Sequence, residues 1–163
     1  MKRLILPLLL VLSLPLLAAN EAKPKLVYSV DKYDPKRDPE GDLKQTIALA
    51  KKENRRILMI VGGNWCGWCR RLDREFKSND KVVAALAKSY VIMKVNMSDA
   101  NSNLFFLQDY PDIPEYPHFY VLDANGKVLH SQPNSKLEGV FGYREKSLGK
   151  FFNAISLILR WAL

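Results

Sequence analysis

Cys66 and Cys69 are the only cysteines in 163 residues, and two positions, Gly67 and Trp68, separate them. A structural disulfide gains most when it closes a long loop, because that is where the unfolded chain loses entropy. A bridge across two residues closes almost nothing, so chemistry is the better reason for the pair. Two thiols at this spacing can exchange electrons with a substrate disulfide. One sulfur attacks and forms a mixed disulfide; the other attacks the first and releases the substrate. The competing chemistry is a metal half-site completed by His118 and His130, but the spacing fits no zinc pattern and the flanking tryptophans suit redox work.

The elements that must position this pair can be read on either side of it. Ile57-Leu58-Met59-Ile60-Val61 is a continuous apolar run of strand length, which predicts a central strand buried on both faces. Gly62-Gly63-Asn64 reads as a turn. A helical pattern begins at Cys66, with Cys69, Leu72 and Phe76 on one face. Cys66 therefore falls where helix N–H groups are unpaired and the helix dipole favours negative charge. It is expected to be the thiolate nucleophile. Cys69, one turn further in, is expected to be buried and to resolve the mixed disulfide. Arg70, Arg71 and Arg74 read as a solvated helix face, with a weaker alternative role in stabilising the Cys66 thiolate. Asp73 and Glu75 read as surface charges. Trp65 could cover the pair or simply pack. Trp68 is expected to be exposed and available to a partner.

The remaining pattern alternates. Asp42, with Gln45, forms a capping box for a helix carrying Leu43, Ile47 and Ala50. Asn79 separates two helical stretches. Tyr90 to Met97 has strand periodicity. Ala100 to Tyr110 reads as helical, and a segment with Pro111, Pro114 and Pro117 leads into a strand over 118–122. Asp123-Ala124-Asn125-Gly126 is a hairpin turn. Leu148, Phe151, Phe152, Ile155, Leu159 and Ala162 mark a final helix, whose apolar content, with Trp161 and Leu163, exceeds a narrow stripe. Alternation of this kind predicts an α/β domain with parallel pairs and an antiparallel edge.

Composition bounds the rest. The chain is 48% hydrophobic and 26% charged, which is ordinary for a globular protein. Its formal charge of +8 is spread among acids without a basic block, and no nucleic-acid motif accompanies it. Lys2 and Arg3 precede an apolar run, Leu4 to Leu17, that ends in Ala18-Ala19. That order predicts a signal peptide over 1–19 and export to the periplasm, with an uncleaved anchor as the alternative. Residues 20–41 read as a linker, with a possible short strand over 26–30, and 42–163 as the domain.

Trp65-Cys66-Gly67-Trp68-Cys69 resembles the active-site motif of the thioredoxin superfamily, whose familiar form is Trp-Cys-Gly-Pro-Cys. Tyr116-Pro117-His118-Phe119-Tyr120-Val121-Leu122-Asp123 resembles the stretch that carries that family's cis-proline. The resemblance covers most of residues 42–162 and implies a thioredoxin fold, a central mixed β-sheet flanked by helices. It implies that Cys66 and Cys69 are catalytic, that Trp65, Gly67 and Trp68 complete the motif, and that Tyr116 and a cis Pro117 pair with a peptide substrate. It implies protein substrates bearing disulfides or thiols, a membrane electron-transfer partner, a monomer, and no cofactor or metal. Two positions depart from the pattern. Trp68 replaces the inner proline, and Ile60 stands where thioredoxin has a buried carboxylate that helps move the second cysteine's proton. A protein-disulfide reductase is the preferred expectation. An oxidase or isomerase of the same fold and a non-catalytic binding module are the rivals.

Overall fold

The computed structural model describes residues 24–140 and 142–158. The segment read as a signal peptide lies outside them, as do Leu159, Trp161, Ala162 and Leu163. Five strands form one mixed sheet: β1 (Val27–Val30), β2 (Arg56–Gly62), β3 (Tyr90–Asn96), β4 (His118–Leu122) and β5 (Val128–Pro133). Their order across the sheet is β1-β3-β2-β4-β5. The β1–β3 and β3–β2 pairs are parallel, and the β2–β4 and β4–β5 pairs antiparallel. The segment over 26–30 thus supplies an edge strand of the sheet. The β4–β5 hairpin turns at Gly126, whose φ of +90° suits a residue without a side chain.

The apolar run 57–61 lies at the centre of the sheet, and β2 and β3 are buried along almost their whole length. Side chains alternate between two cores. Leu58 and Ile60 face one that holds both cysteines, Leu72 and Phe76 of α2 (Gly67–Ser78), Leu86 of α3 (Asp80–Ser89) and Phe152 of α5 (Glu145–Ile158). Ile57, Met59 and Val61 face the other, against α1 (Pro39–Lys52), where Tyr120 and Leu122 also pack. Among the described residues no helix is long and apolar enough to cross a membrane.

Two local expectations are corrected and a third holds. Helix α1 begins at Pro39, with Asp38 as its cap accepting from the Glu40 and Gly41 N–H groups. Proline suits the first helical position because its missing N–H would be unpaired there anyway. Asp42 instead forms an ion pair with Arg37. The helix expected over 100–110 shrinks to α4 (Leu104–Leu107). Asparagine side chains take over the backbone before it: Asn101 Oδ1 accepts from the Asn103 N–H, and Asn103 Nδ2 donates to the Asn96 carbonyl. Asn79 ends α2 and caps α3 through its side chain, so the predicted break is present.

Candidate active site

The Cys66–Cys69 pair sits at the junction of β2 and α2. Cys66 is the N-cap of α2, in extended conformation, and its sulfur accepts a hydrogen bond from the Cys69 N–H at 3.1 Å. The two sulfurs form a disulfide, with Cα atoms 5.2 Å apart, inside the usual range for a bridge. Cys69 is 1% exposed and Cys66 4%. When the bridge opens, the N-cap position and the Cys69 N–H favour negative charge on the Cys66 sulfur. Cys69, packed beneath it one turn along, is placed to attack it.

Two glycines make this junction possible. A Cβ on Gly62 would lie 2.6 Å from the Cys69 sulfur and 3.3 Å from the Tyr33 hydroxyl oxygen. A Cβ on Gly63 would lie 2.3 Å from the Trp65 indole nitrogen and 2.8 Å from the Met97 carbonyl oxygen. The pair Gly62-Gly63, read as a turn, is thus a close-approach site on both faces. Gly67 is different: its missing Cβ would meet only the Arg70 side chain, at 4.0 Å.

Trp65, and not Trp68, is the tryptophan that lies open to a partner. Trp65 is the exposed one, at 57%, with its Nε1–H donating to the Met97 carbonyl at 2.6 Å and its ring edge-on to Tyr116. Trp68 is half-buried, edge-on to Tyr143 and beneath the Arg71 guanidinium. Arg70 donates to the Asn64 carbonyl and ties down the loop before Cys66. Two arginines of the expected solvated run therefore hold the site's frame.

The Tyr116–Pro117 bond is cis. His118 pairs with Val61 across the β2–β4 ladder, which sets Pro117 and Tyr116 alongside the start of the Gly62-Gly63 turn. Tyr116 and the motif thus meet at one end of the sheet. Beyond Tyr116 and Met97, a surface groove of about 590 Å³ runs past Ile113 to Leu104 and Phe105, which are 64% and 77% exposed. His118 belongs to neither cysteine. Its ring packs on Tyr120, on the opposite face of the sheet, and its Nε2 pairs with the Ser131 hydroxyl at 2.8 Å. Burial pulls its pKa down to about 4.

Sequence reasoning passed over two residues near the pair, Lys94 and Tyr33. Ile60 faces the cysteine core, as expected from its position. Its register partner on β3 is Lys94, which is 6% exposed. Lys94 pairs with Asp73 at 2.6 Å, so Asp73 is no free surface charge. The Lys94 ammonium also lies 5.0 Å from the centre of the Tyr33 ring. A lysine in a strand of alternating apolar residues was the available signal; nothing local marks Tyr33.

The thioredoxin-like family profile matches residues 38–124. The chain belongs to the thioredoxin-like family. Among solved structures, it is similar to a disulphide isomerase from Xylella fastidiosa Temecula1, at 28% identity and a TM-score of 0.66, over 76% of this chain and 95% of that one. The oxidised C-terminal domain of DsbD from Neisseria meningitidis shares the fold at 12% identity and a TM-score of 0.56, over 78% of this chain and 98% of that one. A DsbH oxidoreductase does so at 17% identity and a TM-score of 0.53, over 79% and 88%. Comparison with curated proteins finds no match. Family, fold and the Cys66–Cys69 pair together describe a thioredoxin-like thiol–disulfide oxidoreductase with a redox Cys-x-x-Cys disulfide.

Proposed function

We propose that this protein is an exported protein-disulfide reductase that works from its reduced dithiol form. The observation that carries the reading is the seat of Cys66, an N-cap sulfur accepting the Cys69 N–H, with Cys69 buried directly behind it. The Cys66 thiolate attacks a substrate disulfide, and one substrate sulfur leaves as a thiolate. Cys69 then loses its proton to solvent and attacks Cys66. The Cys66–substrate bond breaks, its electron pair goes to the substrate sulfur, and Cys66–Cys69 is left oxidised. Because Cys69 is held within the same helical turn, resolution is intramolecular and favours net reduction over release of a rearranged substrate. Tyr116 and the exposed Trp65 flank the pair and offer an extended peptide backbone pairing and an apolar contact. The basic, apolar and small residues of 1–19 support work in the periplasm, where a membrane electron donor would return the pair to the dithiol.

A second reading is an isomerase, favoured by the similarity to the Xylella fastidiosa protein. An isomerase also starts from the dithiol, but there a substrate thiolate, not Cys69, attacks the mixed disulfide, forming a new substrate disulfide and expelling Cys66 as a thiolate. The reduction potential of Cys66–Cys69, measured by equilibration with glutathione, tests the reductase reading. A value near roughly −270 mV supports it, and one near roughly −120 mV makes the protein a disulfide donor and overturns it.

A further inference from the structure

The Tyr33 hydroxyl is buried and has no hydrogen-bond partner among the described residues. Tyr33 is 4% exposed and belongs to the same apolar core as both cysteines. A buried hydroxyl left unpaired is costly, so its persistence calls for a reason. Its position supplies one. The hydroxyl oxygen and the Cys69 sulfur border the same small space, the one that Gly62 leaves open by lacking a side chain. In the disulfide form the Cys69 sulfur is committed to Cys66. Once that bond opens, the sulfur carries either a proton or a charge, in an apolar core that would otherwise penalise the charge.

We propose that Tyr33 is the hydrogen-bond donor for Cys69 in the dithiol and mixed-disulfide forms, in a core where Ile60 offers the sulfur no polar atom. This rests on the thiol–disulfide exchange described above. The tyrosine donates and does not take the proton, which leaves Cys69 for solvent. Its O–H then faces the sulfur whose electron pair forms the new bond to Cys66. Burial, followed by the nearby Asp73 carboxylate, pushes the Tyr33 pKa well above its ordinary value, so the group stays protonated and able to donate. The charged and titratable groups around it are Asp73 from α2, Lys94 from β3, Tyr28 from β1, and Tyr143 from the segment before α5. The Lys94 ammonium lies against the Tyr33 ring and is bonded to Asp73, so the two charges largely offset each other beside the donor.

The test uses Tyr33→Phe, which keeps the ring and removes only the hydroxyl. In a Cys66→Ser background, Cys69 is the sole thiol and its ionisation can be followed by ultraviolet absorbance. Loss of the donor is expected to lower the Cys69 thiolate fraction about tenfold at a given pH, the weight of one pKa unit. With both cysteines present, the glutathione equilibrium is expected to shift several-fold toward the disulfide, because the dithiol form alone has lost a bond. Thermal unfolding gives a readout that needs no substrate. Oxidised Tyr33→Phe is expected to be at least as stable as oxidised wild type, and the reduced variant less stable than reduced wild type. Tyr33→Met, which fills the space without a hydroxyl, decides the matter if the Phe variant does not accumulate. An unchanged Cys69 titration with equal stability changes in both redox forms overturns the proposal. A wild-type potential in the oxidase range would overturn the reductase reading and leave this test standing.

Discussion

At the scale of single residues, the two cysteines have different environments, and the proposed tasks follow from them. Cys66 accepts an N–H at the head of α2, whereas Cys69 lies under it in the apolar core. Cys66→Ser is expected to abolish both reduction and rearrangement of substrate disulfides, since nothing else can attack. Cys69→Ser is expected to leave the first attack intact, so that mixed disulfides with Cys66 accumulate and can be caught by alkylation and mass spectrometry. The same variant separates the two proposed functions. Net reduction by Cys69→Ser should fall by at least about a hundredfold, because an unlinked thiol must replace a resolving group held in place. If rearrangement of a scrambled disulfide substrate persists at the wild-type rate while reduction was never appreciable, the isomerase reading takes over.

At the scale of elements, the site depends on how helices begin. Helix α2 starts on a cysteine, so its functional sulfur does the capping that a serine or aspartate does elsewhere. Helix α1 starts on Asp38, whose carboxylate accepts from two backbone N–H groups at 3.1 Å. Asp38→Ala is expected to cost about 1 kcal/mol of stability, read from urea unfolding, with the reduction potential unchanged because α1 packs on the face away from the cysteines. A loss of that size at Asp42 would have a different origin, its ion pair with Arg37, and would shrink in high salt.

At the scale of the whole molecule, the sheet separates two environments, and His118 belongs to the one without the thiols. Its folded pKa of about 4 lies below the ordinary 6.5 because burial disfavours the charged ring. The unfolded chain therefore binds a proton that the folded chain refuses. The His118 contribution to stability is fully present above about pH 6.5 and is lost as pH falls toward about 4. His118→Gln, which can still bond Ser131, is expected to flatten the unfolding midpoint across that window; an unchanged slope would show that other groups set it. Much of this architecture was legible beforehand, for physical reasons that differ by residue. The run 57–61 is apolar without interruption, so it had to be buried on both faces, and the Cys-x-x-Cys spacing places two sulfurs on one helical turn wherever the helix is. The hairpin at Asn125-Gly126 and the break at Asn79 follow from local chemistry as well. What local chemistry does not contain is which distant side chain fills a given space. Trp65 turned outward and Trp68 inward because Gly63 leaves room for one indole, while Tyr143 and Arg71 close over the other. The sequence by itself determined the fold class and the redox pair. Only the tertiary structure decided the surroundings of Cys69. Tyr33 lies 36 positions before it and Lys94 lies 25 positions after it. Only the parallel pairing of β1, β3 and β2 closes those separations into one core.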